Sequence, residues 1–223
     1  MTPQALALRG QAGSLSALIR AGGQPLMMLP VRWQGSGEVL ASYQPRAGGL
    51  GDIRLSLPPR TPPGKYDATI ILPEGETPLV LEVEPRPRVS FHPRAVSVTG
   101  RAATVTVTAL NEGNASVDIP KSAEVALYAV EEDFFERVLR ERKDGEHVID
   151  RIFDGLAGTF AGTMRISVES GAGPFAADEA RELTLALAAP DEFAPETTYE
   201  GNWSLDGGSL AIAVRTAKEE QTS

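Results

Sequence analysis

The chain has 223 residues, 42% of them hydrophobic, with 22 glycines, 17 prolines and no cysteine. That length holds one large or two small domains with real cores; the Gly and Pro content favours many short strands over helical layers, and the lack of cysteine excludes disulfides, thiolate metal sites and thiol nucleophiles. The net charge is −9 and uneven: residues 1–86 carry 8 Lys/Arg against 7 Asp/Glu, residues 87–223 carry 13 against 23, a field that repels nucleic-acid phosphates and anionic headgroups and argues against both as partners.

Met1 to Gln11 has no basic region followed by a long apolar run, and no stretch reaches membrane-spanning length. Direct membrane insertion is therefore not expected. The expectation is a cytoplasmic protein, or a periplasmic or extracellular one if a signal peptide has been removed. Residues 1–86 read as a first domain. Leu6 and Leu8 begin a short strand, Leu15–Ile19 and Leu26–Trp33 follow around Gly22-Gly23, and Val39–Tyr43 precedes a turn at Gly48–Gly51. Ile53, Leu55 and Leu57 then alternate, break at Pro58-Pro59, re-enter at Tyr66 and finish with Leu79, Leu81 and Val83 around a turn near Gly75. Apolar residues at every second position are the signature of a strand with one buried face.

Glu84-Pro85-Arg86-Pro87-Arg88 cannot sit inside a sheet, because two prolines remove ladder donors. It is read as a short, stiff boundary. The second domain, 87–217, opens with Val89 and Phe91, Val96 and Val98, and Thr104–Ala109. Val105 to Pro120 reads as a strand, an Asn/Gly turn and a strand, a hairpin candidate. Thr163–Val168 is a further strand and Gly171–Ala177 a loop. The earlier phrase then returns: Leu183, Leu185 and Leu187 alternate, the chain breaks at Pro190 and Pro195, re-enters at Tyr199 and finishes with Leu210, Ile212 and Val214 around Gly207-Gly208. Two copies of one phrase suggest two copies of one domain. Residues 218–223 are read as a frayed tail.

The run from Val105 to Pro120 resembles the strand-turn phrase of bacterial and archaeal immunoglobulin-like domains, of the kind associated with carbohydrate-binding modules or adhesion. Tyr66 and Tyr199, each entering a late strand after a proline-bearing loop, resemble the tyrosine corner of that fold class. The resemblance implies an all-β fold: two tandem immunoglobulin-like antiparallel β-sandwiches, the second with a short helical insertion near 131–157. It transfers architecture and no binding residues.

That insertion departs from strand rhythm. In Glu131 to Gly145, Phe134 and Val138 are four apart, as are Phe135 and Leu139, with acids first and bases last, as in a helix. A strand continuing from Tyr128 is the competing reading. If helical, Phe134, Phe135, Val138 and Leu139 either pack on the sandwich or form a face for a protein partner. Val148, Ile149, Ile152, Phe153 and Leu156 also have helical spacing, weakened by Gly155, Gly158 and Gly162.

Chemistry is sparse. His92 and His147 lie in different elements, neither with a nucleophile elbow. Asp144, Glu146, Asp150 and Asp154 do not match a calcium loop, Gly64-Lys65 lacks a phosphate-loop pattern, which leaves Lys65 a turn residue, and Gly35-Ser36-Gly37 is a turn. No catalytic, metal or cofactor site is expected. Asn114-Ala115-Ser116 and Asn202-Trp203-Ser204 fit the glycosylation acceptor pattern. The leading expectation is a non-catalytic assembly, adhesion or accessory subunit binding a protein through strand edges or the Phe134–Leu139 face. The alternative is a carbohydrate-binding module using Trp33, Tyr43 or Trp203 as ring platforms, although Trp203 shares the parity of Tyr199 and Gly201 and is read as a core ring. A carboxylate-dependent hydrolase is the third reading.

Overall fold

In the computed structural model, the described residues are 6–20, 27–34, 37–72, 75–130, 134, 136, 140, 147–190, 193–194 and 197–216. They are mostly strand. The chain divides into two compact units. The first is Met1–Arg88 with Glu112–Ser116 and Ala176–Asp178, and the second is Val89–Asn111, Val117–Phe175 and Glu179–Ser223.

The first unit contains β1 (Leu6–Gln11), β2 (Ser14–Arg20), β3 (Met27–Trp33), β4 (Gly37–Arg46), β5 (Leu50–Leu55), β6 (Gly64–Leu72) and β7 (Gly75–Val83). Their order is β1-β2-β5-β4-β3-β6-β7, and β1 pairs in parallel with β7 to close the ring. The expectation is an antiparallel sandwich; the parallel seam between first and last strands joins what would otherwise be two sheets, so no sheet edge is left among the described strands of this unit. The core is the inward register of each strand, with Leu8, Leu15, Val31, Ile53, Leu55, Ile70, Leu79 and Leu81 all buried.

At the seam, Glu82 on β7 stands opposite Arg9 on β1 and Lys65 on β6. Lys65 Nζ lies 2.8 Å from a Glu82 carboxylate oxygen, and Arg9 Nε also pairs with Glu82. Lys65 is thus a strand residue, not a turn residue. The hydrogen bond from Lys65, opposed by partial desolvation and helped by the charges of Arg9 and Lys65, holds the Glu82 carboxyl below its ordinary 4.5. A depressed carboxyl pKa adds stability that is fully present above 4.5 and fades as pH falls through the lower folded value. Denaturant midpoints of the wild type and Glu82→Gln, measured from pH 6 down to 3, are expected to differ most above 4.5 and to converge below it. A constant gap would show that the seam charges carry no linkage.

The second unit contains β8 (Val89–His92), β9 (Ala95–Thr99), β10 (Ala102–Asn111), β11 (Val117–Ile119), β12 (Ser122–Ala129), helix α1 (Val148–Thr159), β13 (Phe160–Ser170), β14 (Gly173–Phe175), β15 (Ala180–Ala188), β16 (Thr198–Leu205) and β17 (Gly208–Arg215). The main ladder runs β8-β10-β15-β13-β12-β16-β17-β9. With β8 and β9 taken as halves of a split first strand, this order matches the first unit position for position. The ladder here stays open, because β8 pairs with β10 while β9 pairs in parallel with β17.

Both copies of the repeated sequence phrase therefore occupy equivalent strands, β5-β6-β7 and β15-β16-β17. Both tyrosines close a corner. Tyr66 Oη donates to the Pro62 carbonyl at 2.7 Å, and the Ala194 amide donates to Tyr199 Oη at 2.8 Å. Strand order and corner together are those of an immunoglobulin-like fold. The β16–β17 turn places Asp206 (φ 41°) and Gly207 (φ 79°) in left-handed backbone, as the tight hairpin turn requires.

Two local expectations are corrected. β10 and β11 do not form a hairpin: β10 pairs with β8 and β15, and β11 pairs with β14, a short strand in what was read as a loop. The intervening turn is held instead by Asn114, 4% exposed. Its Oδ1 accepts the Arg86 amide at 2.6 Å, and its Nδ2 donates to the carbonyls of Thr61 at 2.9 Å and Glu84 at 3.2 Å. Arg88 pairs with Glu112 at 3.2 Å, and Arg60 with Asp178 at 2.7 Å. These contacts explain why two short late segments belong to the first unit. They also occupy the Asn114 amide, which leaves it unavailable as a glycosylation acceptor.

Candidate functional site

Among the described residues, those singled out in the sequence are not brought together. Phe134 is only 8% exposed, so its ring belongs to packing and not to a free surface. Phe135, Val138 and Leu139 lie outside the described residues, as do Asp144, Glu146 and the 131–133 start of the insertion. The described Phe134, Glu136 and Arg140 are helical, with Glu136 and Arg140 paired at 3.8 Å. Tyr43 and Trp203, at 2% and 3% exposure, are core rings, and a buried ring cannot serve as a sugar platform. Trp203 packs on Phe91 with centroids 5.3 Å apart. His92 and His147 are exposed in separate elements. Among the described residues no three His, Cys, Asp or Glu side chains converge as a metal site would need.

Trp33 is different. It is half-buried at the end of β3, set edge-on to Tyr66 at 5.3 Å and 85°. Arg32, Gln34, Asp67, Ala68 and Thr69 line a shallow cleft of 280 Å³ beside it. Its Nε1 is buried and has no hydrogen-bond partner among the described residues.

The more extensive feature is an apolar face on the second unit. In α1, Thr159 is buried and Val148 and Ile152 are half-buried, so one side of the helix packs inward. Ile149 and Phe153, one turn apart, are 66% and 65% exposed. Phe160, the C-cap of α1 and first residue of β13, lies seven residues, about two helical turns, beyond Phe153 and is 50% exposed. It stands opposite Tyr128 on β12, their rings edge-on at 5.8 Å. Tyr128 and Val130 are 42% and 44% exposed.

Three aromatic rings that bury about 150–250 Å² each when fully covered leave roughly 300 Å² open in sum, and exposed aromatics of this kind are commonly functional. The sequence held a signal for it. Val148, Ile149, Ile152, Phe153 and Leu156 form one stripe about 140° wide, of which Ile149 and Phe153 are the outer edge. Tyr128 and Phe160 carried no such signal, because their pairing depends on a register shift between Leu127 and Tyr128.

No family model matches the chain, and no curated protein matches it. Among solved structures, it is similar to titin domains A168–A169, at 11% identity and TM-score 0.28, over 96% of this chain and 95% of that one. It is similar to the first two immunoglobulin domains of DIP-gamma, at 15% identity and TM-score 0.32, over 97% and 96%. A Bacteroides ovatus glucan-utilization protein, SGBP-B, solved with a mixed-linkage heptasaccharide, matches at 12% identity and TM-score 0.26, over 95% of this chain and 43% of that one.

Proposed function

We propose that this chain is a non-catalytic binding protein, two immunoglobulin-like domains in tandem at 1–86 and 87–217, that serves as an assembly, adhesion or accessory subunit. It holds a protein partner through the second domain. The observation that carries this reading is the uncovered line of Ile149, Phe153, Phe160 and Tyr128, since a soluble surface gains nothing by exposing three clustered aromatics unless something covers them. Phe135, Val138 and Leu139 belong to the same proposal as neighbours in sequence. Strand edges are a weaker route than expected, because the first unit closes its ring and the open ladder of the second ends in strands of four and five residues.

Serine at both Ile149 and Phe153 is expected to lower affinity for the native partner at least tenfold while the unfolding midpoint moves little, because both side chains already face water. Quantitative co-purification from cells making wild-type and variant chains reads this directly. Equal recovery of the same partner would remove the face from the proposal.

A second reading rests on the Trp33 cleft, where an indole edge lies among Arg32, Gln34, Asp67 and Thr69. A saccharide bound there would change Trp33 emission in a Trp203→Phe background. Silence across a polysaccharide panel would dispose of it.

A further inference from the structure

We infer that the partner of this face is basic: a segment that places an apolar anchor on Phe153 and Phe160 and flanks it with lysine or arginine. The inference rests on the docking reading above and adds the chemistry of the occupant. Asp150 and Asp154 follow Ile149 and Phe153 directly, so two exposed carboxylates line one flank of the apolar stripe, one helical turn apart. Glu200 on β16, also exposed, stands opposite Tyr128 and sets a third carboxylate at the strand end of the face. The one cation of α1, Arg151, falls on the far side of the helix, about 160–200° of helical rotation from the stripe. On the strands, the nearest cation in register is Arg215 on β17, opposite Thr198 of β16 and two residues along from Glu200.

An apolar centre rimmed by acids selects its occupant by charge. A second copy of this chain meeting the same face about a twofold axis would bring both sets of Asp150, Asp154 and Glu200 together, and like charges at an interface rim oppose association. The excess of acidic residues in 87–223 adds a long-range field of the same sign, which speeds the approach of a cation and slows that of an anion. An anionic bilayer is disfavoured on the same ground. The open aromatic area of roughly 300 Å² is smaller than the ~800 Å² that each side of a stable interface covers. The face is therefore the centre of a contact whose rim is polar, and the carboxylates are that rim.

The test uses the full chain and two synthetic amphipathic 18-residue helices of identical leucine pattern, one with lysine and one with glutamate at every polar position. Binding is mapped by backbone amide shifts. The lysine peptide is expected to perturb residues around Ile149, Phe153, Phe160 and Tyr128 and to bind at least tenfold more tightly than the glutamate peptide. The triple variant Asp150→Lys, Asp154→Lys, Glu200→Lys is expected to reverse that preference. Phe153→Ser with Phe160→Ser is expected to lose both peptides at this face, with an unchanged amide spectrum elsewhere showing that the fold is intact. If both peptides perturb the face with equal affinity, the basic-partner inference is overturned and the docking reading stands. If the lysine peptide binds without perturbing these residues, or binds the serine variant as well as the wild type, both are overturned.

Discussion

Replacing Asn114 by alanine is expected to destabilise the first unit by about 3 kcal/mol, because the substitution leaves three backbone groups without the partner that satisfies them. The side chain is 4% exposed and uses both ends, accepting from Arg86 and donating to Thr61 and Glu84. An orphaned buried donor or acceptor costs about 1–3 kcal/mol, and partial entry of water recovers some of it. Asn114→Asp separates the two ends: the carboxylate still accepts from Arg86 but faces two carbonyl oxygens with nothing to donate. It is expected to cost at least as much as alanine. Trp33 emission in a Trp203→Phe background follows the first unit alone during urea unfolding. A loss below about 1 kcal/mol for alanine, within the range of a single ordinary hydrogen bond, would mean that the three bonds are not the source of the turn's order.

Gly51→Ala is the second large effect, also about 3 kcal/mol, at the upper end of the range for overpacking a filled core. A Cβ on Gly51 would sit 2.1 Å from Cε2 of Tyr43 and 2.5 Å from its Cζ and Oη. Tyr43 lies diagonally across the β4–β5 ladder, where it pairs with Ile53 while Gly51 pairs with Pro45. With 2% exposure the ring has nowhere to swing. The glycine is the space that the ring fills. The clash is expected to vanish in a Tyr43→Leu background, so the double variant should cost less than the sum of the two single ones. Strict additivity would show that the glycine serves the backbone and not the ring. Tyr43→Phe, by contrast, is expected to be neutral or slightly stabilising, because the buried hydroxyl has no hydrogen-bond partner among the described residues.

Much of the architecture was legible because it depends on local alternation. Ile53, Leu55, Leu57, Leu183, Leu185 and Leu187 declare a buried face by their own spacing, and the repeat that they open occupies the same strands in both units. Tyr66 and Tyr199 were legible for a related reason, since a corner bonds to backbone only four or five residues upstream. What could not be read was pairing at a distance. The parallel seam of β1 with β7 joins residues more than seventy positions apart, and the pairing of β11 with β14 makes a strand out of three residues with no period of their own.

Asn114 illustrates the same limit. Its turn composition suggested a hairpin, while its side chain is committed to backbone at Thr61, Glu84 and Arg86. The candidate face was half legible: the apolar stripe of α1 includes Ile149 and Phe153 at its edge, whereas Phe160 and Tyr128 meet only through a bulged register. Of the three rings named as sugar platforms, Tyr43 and Trp203 are buried, since strand parity places both inward with their neighbours, and Trp33 alone stays half-open.

The most direct test of the docking face is site-specific photocrosslinking in the cells that make the protein. A photoreactive phenylalanine analogue at position 153 is expected to give one dominant protein adduct. The same group at position 124, on the outward side of β12 and opposite Arg165, is expected to give none. The adduct should disappear when Ile149 and Phe160 are serine. No adduct at 153, or the same adduct from both positions, would contradict a partner seated on this face.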